Sequence, residues 1–461
     1  MTTRRGSSLW ALLAVVLLGA GTSCAPFRSS WQPPRPVKIE AIEGIGTASW
    51  NLFPSWMTLI SSATDGKPAG MLVRDGDLVL VSDDKNEALF IYQGSDGPVL
   101  KLTFEEGRTF LAGKVVSVSL ERDGAAWEWL EKASTQELAG VRLLVLPEDL
   151  DAARLPTLKK LADASPNVGL VVFTKQPAFS QVLPLFKPRV IFLGGAVPGS
   201  DERKVLADQK QLDTVLCSGN EPGSLDFLAG IPNLRRLALN YYDVEESRPL
   251  PKSLKRLKSL FVSGAKMKDV SWLADAPAGL EEVSLMSYEL SDVSSLAKFT
   301  SLKTVILNGS VKVLDLSSLA SLKKLQWMGL PPNISQEEFG AFVKAHPDLK
   351  FLEMVQCKNV TDLSPLRDLK SLEALVLAGE YKNLDVVQGM KSLRFVGISD
   401  ETFSKSPDQV AAVQKALPDA LVVPASGSCL GSGWILLLFP AVALLWLLRS
   451  RRRPTAGQTH V

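Results

Sequence analysis

Residues 280–307 read LEEVSLMSYELSDVSSLAKFTSLKTVIL. Leu280, Val283 and Leu285 take positions one, four and six of an apolar pattern, and Leu302, Val305 and Leu307 repeat it 22 residues later. Apolar residues at alternate positions put their side chains on one face of a short strand. Between the copies, Ser291-Asp292-Val293-Ser294-Ser295-Leu296 supplies a short polar side chain suited to capping turn N–H groups, then a Leu that closes the far side of the unit. A unit this small cannot bury its apolar face alone, so it must stack on copies of itself.

Working outward, the same pattern occurs at Leu212/Val215/Cys217, Leu234/Leu237/Leu239, Leu257/Leu260/Val262, Leu322/Leu325/Trp327, Leu349/Leu352/Met354, Leu372/Leu375/Leu377 and Leu393/Val396/Ile398. The nine starts are spaced 22, 23, 23, 22, 20, 27, 23 and 21 residues apart. That period reads as a leucine-rich-repeat solenoid with a parallel sheet on its concave face, an α/β fold. Lys268-Asp269-Val270-Ser271-Trp272-Leu273 and Thr361-Asp362-Leu363-Ser364-Pro365-Leu366 repeat the second signature. The text resembles the 22-residue repeat of internalin-like bacterial leucine-rich-repeat proteins over roughly residues 206–423, which implies a rigid protein-binding scaffold. One departure is the Asn-ladder position, which holds Ala265, Tyr288, Ser310, Cys357 and Glu380 among others. Without Asn to satisfy turn backbone, looser ascending turns are expected.

Positions three, five and seven of each unit point to the concave side. Phe261, Ser284, Met286, Ile306, Asn308, Met328 and Val355 fall there and form the candidate binding face, with an apolar patch around Phe261, Met286, Ile306 and Met328. The alternatives are that the small β domain upstream folds over it, or that these residues merely propagate strand propensity. Ser335-Gln-Glu-Glu338 reads as a capping box that opens residues 337–345, and Ser406-Pro407-Asp408 opens residues 409–416, a C-terminal cap.

Upstream, residues 125–205 read as irregular α/β repeats leading into the array, with apolar strands at 141–146, 168–173 and 190–193. Residues 37–124 alternate apolar runs with Asp75-Gly76, Asp96-Gly97 and Asp123-Gly124, which predicts a small antiparallel β domain. Residues 25–36 are a Pro-rich tether.

The formal charge of the whole chain is 51 − 49 = +2, but Arg4, Arg5, Arg449, Arg451, Arg452 and Arg453 stand in terminal segments without acids. The body is therefore 45 − 49 = −4, and the basic balance is no argument for nucleic acid. Arg4-Arg5, the apolar run 9–19 and Gly21-Thr22-Ser23 before Cys24 form a secretory signal over 1–24. Its end resembles a lipobox, which implies acylation of Cys24; ordinary cleavage nearby is the alternative. Residues 424–433 form a Gly/Ser linker with Cys429, residues 434–448 a short transmembrane helix, and 449–461 a basic cytoplasmic tail. This three-part end resembles MYXO-CTERM sorting tails. The resemblance implies cutting near Cys429 by an intramembrane sorting protease and a place at the surface of a Gram-negative cell; a retained anchor is the alternative.

Catalytic chemistry finds little support. The two His, His346 and His460, give no metal pair, and His346 reads as a solvated residue at a helix end. The four Cys form no CxxC, and Cys217 and Cys357 read as structural thiols. Gly107 to Lys114 looks like a phosphate loop but has the wrong spacing and lacks the hydroxyl, so its glycines read as turns. The expectation is an envelope-anchored, non-catalytic scaffold without metal or cofactor that binds a protein through its concave face. A purely structural envelope component, or an enzyme with its site in the β domain, are the competing readings.

Overall fold

The computed structural model describes residues 35–39, 45–49, 56–62, 70–82, 87–92, 94, 99–120, 124–173, 179–195, 198–218, 225–240, 249–264, 267–381 and 383–425. The signal, the Pro-rich tether up to residue 34, Cys24, Cys429 and the whole segment from 426 to 461 lie outside the described residues. Among the described residues no helix is long and apolar enough to cross a membrane.

Seven short strands come first: β1 (Arg35–Ile39), β2 (Ile45–Ser49), β3 (Met57–Ser62), β4 (Gly70–Val73), β5 (Leu78–Ser82), β6 (Glu87–Ile91) and β7 (Val99–Leu100). They form two small sheets, ordered β4-β1-β7 and β2-β3-β5-β6. Both are mixed where an antiparallel domain was expected: β1 pairs parallel with β7 and β3 with β5. The cause is connectivity. Between β3 and β5 the chain spends β4 in the other sheet, and a strand that returns by a crossover runs parallel to the one it left.

Sixteen strands then make one sheet: β8 (Leu102–Glu105), β9 (Arg108–Leu111), β10 (Lys114–Ser119), β11 (Leu143–Val145), β12 (Gly169–Phe173), β13 (Val190–Gly194), β14 (Thr214–Ser218), β15 (Arg236–Asn240), β16 (Ser259–Ser263), β17 (Glu282–Met286), β18 (Thr304–Ile306), β19 (Trp327–Leu330), β20 (Phe351–Val355), β21 (Ala374–Ala378), β22 (Phe395–Ser399) and β23 (Leu421–Ala425). From β10 to β23 every neighbour pair is parallel and follows chain order. This is the leucine-rich-repeat solenoid. It begins well before residue 206, because Val115/Val118/Leu120 and Val141/Leu144/Leu146 carry the same one-four-six pattern into the same core.

The β8–β9–β10 meander caps the first turn. Both of its hairpins are two-residue turns with positive φ at each central residue, Glu106 (42°) and Gly107 (78°), then Ala112 (51°) and Gly113 (77°). That is the turn whose twist suits a right-handed hairpin, and it accounts for the glycines that imitate a phosphate loop.

The register is uniform with one correction. Thr304 faces Trp327, Val305 faces Met328 and Ile306 faces Gly329. Leu325, Met328 and Leu330 are therefore the inward set of that unit, and Met328 lies in the solenoid core, not on the concave face. Trp327 turns to the concave side. Because strand side chains alternate, a shift of one residue exchanges the two faces. With Leu325 as the start, the odd spacings 20 and 27 become 23 and 24.

On the convex side, Asp269, Asp292, Asp315 and Asp362 each accept a hydrogen bond from the backbone N–H two residues on, at 2.7–2.8 Å. The carboxylate replaces water for an N–H that opens a 3₁₀ turn, and Leu273, Leu296, Leu319 and Leu366 then reach the core. The Asn ladder is replaced piecemeal. Ser287 Oγ donates to Met267 O and Ser310 Oγ to Leu285 O, while the Sγ of Cys357 lies 3.7 Å from Pro331 O. Ser335 caps the helix Gln336–Ala345, but Glu338 reaches back to Leu316 N–H of the preceding unit instead of closing a box. His346 ends that helix buried, not solvated: its ring stacks on Phe342, with Nδ1 3.0 Å from Phe342 O and Nε2 3.1 Å from Leu319 O.

Candidate functional site

The concave face is occupied by the protein's own β domain. On the N-terminal half, Trp56, Leu78, Leu80, Leu89 and Ile91 pack on Leu143, Val171, Val190, Phe192, Leu216, Ala238 and Phe261. On the C-terminal half, Val37, Met71, Leu72, Val73, Val79, Val81, Phe90 and Tyr92 form a second cluster that runs on into Trp327, Phe351, Val376, Phe395 and Val423. Strand β5 serves both, since Leu78 and Leu80 leave one face and Val79 and Val81 the other. The seat is close. A Cβ at Gly70 would lie 2.6 Å from Leu421 Cδ2 and 2.7 Å from Val423 Cγ1, so β4 backbone rests directly on β23 side chains.

The predicted site residues follow from this cover. Phe261, Ser284, Ile306 and Asn308 do sit on the concave side and are buried, at 1–4% exposure; Val355 is buried and Met286 partly so. Phe261 joins the first cluster and Val355 the second, so the two halves of the face are not one patch. Met328 belongs to the interior behind the sheet. Tyr288 and Leu314, on the loops after β17 and β18, are the exposed large apolar residues among those described. Tyr381 is buried, its hydroxyl donating to Met354 O at 3.1 Å.

Between the apolar seams runs a belt of polar groups that sequence reasoning missed. Trp56 Nε1 donates to Ser259 Oγ at 2.7 Å, and the guanidinium of Arg236 lies 6.0 Å from the centre of the Trp56 ring. Arg74, on the tight turn between β4 and β5, bonds Asp77 Oδ1 at 3.2 Å and crosses to Glu282 Oε1 on β17 at 3.3 Å. Its backbone N–H donates to Asp77 Oδ2 at 2.7 Å. Arg74 also stands 5.9 Å over Trp327, within range of a cation–π contact. Trp327 Nε1 donates to Glu353 Oε1 at 2.8 Å, and Asn308 Nδ2 donates to Glu353 Oε2 at 2.6 Å.

Asn308 and Glu353 meet across the intervening strand β19 because that strand offers Gly329 there. A Cβ at Gly329 would lie 2.4 Å from Asn308 Oδ1. Burial pushes the Glu353 carboxyl up to about 7, against the pull of its Asn308 and Trp327 donors. Burial likewise raises Asp77 to about 6 in spite of Arg74. For Arg74 the burial penalty is outweighed by Asp77 and Glu282, so its pKa rises; Arg236 is lowered by burial. A signal was present in the sequence, since Arg74-Asp75-Gly76-Asp77 is a charged turn between two apolar strands.

Among the described residues no cluster of His, Cys, Asp and Glu has the makings of a metal site. Cys217 and Cys357 are buried and free, with thiols pushed up to about 12 by burial, so both remain protonated near neutral pH.

No protein-family model and no curated protein matches the chain. Among solved structures, an internalin from Listeria monocytogenes is similar at 17% identity over 59% of this chain and 86% of that one, with a TM-score of 0.36. A second internalin from the same organism gives 18% identity, 48% and 93% coverage, and a TM-score of 0.33. A leucine-rich-repeat protein of Leptospira interrogans gives 16% identity, 65% and 74% coverage, and 0.34. The fold assignment for this chain rests on its own strand order and register.

Proposed function

We propose that this chain is a non-catalytic recognition scaffold of a Gram-negative cell envelope and that its concave face takes a protein partner, in competition with the chain's own β domain. The observation that carries the reading is the cover itself. The face already receives a folded protein surface, through aromatic anchors at Phe261, Trp327, Phe351 and Phe395 and a charged contact between Arg74 and Glu282. Aromatic and Arg anchors set in a desolvated patch are the chemistry of protein recognition. A tethered occupant acts at a high effective concentration, so a free partner gains access only to the fraction of molecules whose face is open. The apolar segment 434–448 and Cys24 would hold the scaffold at a membrane, with the body outside the cytoplasm.

The test is capture of envelope proteins by full-length bait. Arg74→Ala and Glu282→Ala weaken the cis contact while leaving every apolar anchor side chain in place, so partner capture should rise over the unaltered protein, whereas Leu314→Ala on the exposed loop should change nothing. Capture that is identical in all four baits contradicts the reading. It would favour the alternative of a structural envelope component, in which the β domain permanently braces the horseshoe. That alternative draws on one observation: β6 touches β9, β10 and β11 while β2 and β4 touch β23, so the domain spans both ends of the array. Mass spectrometry of the mature protein tests the anchoring, with acylated Cys24 and a C-terminus near Cys429 expected if both signals are processed.

A further inference from the structure

The polar belt holds an unequal number of charges. Arg74 and Arg236 stand against Asp77, Glu282 and Glu353, and Asp213, which also acts on Arg236, is paired with Arg189, so with every group ionised the sum is 3 − 4 = −1. Arg74 and Asp77 come from the turn of the β domain, Arg236 from β15 and Glu282 from β17; these four are mutually coupled. Glu353, on β20, is the odd member. Asn308, two residues past β18, and Trp327 on β19 face it, both as neutral hydrogen-bond donors, and it is 3% exposed. Arg74 stands 5.9 Å from the centre of the Trp327 ring, while the groups that act on the Glu353 carboxyl are Asn308 and Trp327. A carboxylate shut away from water with no cation of its own strongly favours the protonated form.

We propose that the seal between β domain and concave face is proton-dependent: a proton on Glu353 makes the belt neutral while the domain is seated, and losing that proton favours release of the face. The seal is a property of this chain and is measured without a partner; only its consequence, control of access to the face, rests on the recognition function proposed above.

The sign follows from linkage. Once the face opens, Glu353 meets water and returns to its ordinary value near 4.5, whereas in the seated form burial holds it at about 7. The open form therefore binds fewer protons, and raising the pH through this window favours opening; above it the effect levels off. Between pH 6 and pH 8 these values give about a tenfold rise in the open-to-closed ratio from Glu353, and about twofold more from Asp77.

Hydrogen exchange of the full chain at pH 6 and pH 8, corrected for the intrinsic rate of exchange, reads the opening directly. In the unaltered protein, peptides covering 70–82 and 87–92 should show an opening constant roughly twentyfold larger at pH 8. Glu353→Gln, which keeps an acceptor for Trp327 and a partner for Asn308 but carries no proton to lose, should leave only about a twofold rise. Trp327→Phe removes a donor to the carboxylate, so its transition should move to higher pH. The proposal is overturned if the corrected opening of the unaltered protein is independent of pH, if Glu353→Gln keeps the full rise, or if Trp327→Phe leaves the midpoint where it was. None of these outcomes bears on whether an open face binds a partner.

Discussion

Replacing Phe261 by Ala separates the seal from the solenoid. The ring is buried to 1% exposure and stands on the concave side of β16, while its neighbour Val262 points into the repeat core. Truncating a buried Phe costs about 3–5 kcal/mol, counting lost transfer free energy and the cavity left behind. The ring's cluster draws on two sources, the β domain (Trp56, Leu78, Leu80, Leu89, Ile91) and adjoining strands (Phe192, Leu216, Ala238). Taking half of the loss for each source puts about 2 kcal/mol on the seal, which is roughly a thirtyfold larger opening constant for the β domain. The assay is hydrogen exchange with peptide resolution, comparing residues 70–92 with the inner strands β18 to β20. Phe261→Ala should raise exchange in the first set far more than in the second. Val262→Ala should do the reverse, because its contacts are shared with the repeats and not with the β domain. Equal effects of Phe261→Ala on both sets, or none on the β domain, would refute the packing described here.

Other perturbations test separate parts of the structure. Gly329→Ala should destabilise by about 1–3 kcal/mol in urea titration, because its Cβ would lie 2.4 Å from Asn308 Oδ1 and 2.9 Å from Ile306 Cγ2; an unchanged midpoint removes the Asn308–Glu353 bridge from the account. Burial holds the His346 ring below its ordinary pKa of 6.5, so its contribution is whole above that value and is lost as the pH falls through it. The difference in stability between the unaltered protein and His346→Gln should accordingly shrink from pH 7 to pH 5, and a constant difference contradicts the buried neutral ring. Tyr381→Phe strips the hydrogen bond to Met354 O and should cost about 1–2 kcal/mol, with no change in β-domain exchange.

The repeat fold was legible because its pattern is redundant: nine units with the same three inward residues outvote any local ambiguity. The one slip shows where redundancy fails. Leu322/Leu325/Trp327 and Leu325/Met328/Leu330 both satisfy the pattern, and only the spacings on either side favour the second. The earlier parallel strands β10 and β11 carry the pattern too, but the spacing there stretches to 26 residues, past the compact units, where the helix Ala125–Lys132 takes the place of a 3₁₀ turn. The covered face left a trace that periodicity alone does not flag. A strand exposed on one side alternates apolar and polar residues, whereas Val190-Ile-Phe-Leu193 and Ala374-Leu-Val-Leu-Ala378 are apolar throughout, the signature of strands buried on both faces. The charged turn at 74–77 was visible in the sequence, but its pairing was beyond reach, since Arg74 and Glu282 are 208 residues apart and meet only because the β domain folds back.

The β domain fills the horseshoe, and thiol labelling tests that most directly. Ser284→Cys places a near-isosteric thiol in the middle of the concave face, at a site 4% exposed, and Leu314→Cys places one on a loop where the native side chain is 58% exposed. With labelling followed by mass spectrometry of the separate peptides, the thiol at 284 should react orders of magnitude more slowly than the one at 314 and should approach it only in denaturant. Comparable rates in the native protein would mean that the face is open and that the β domain lies elsewhere.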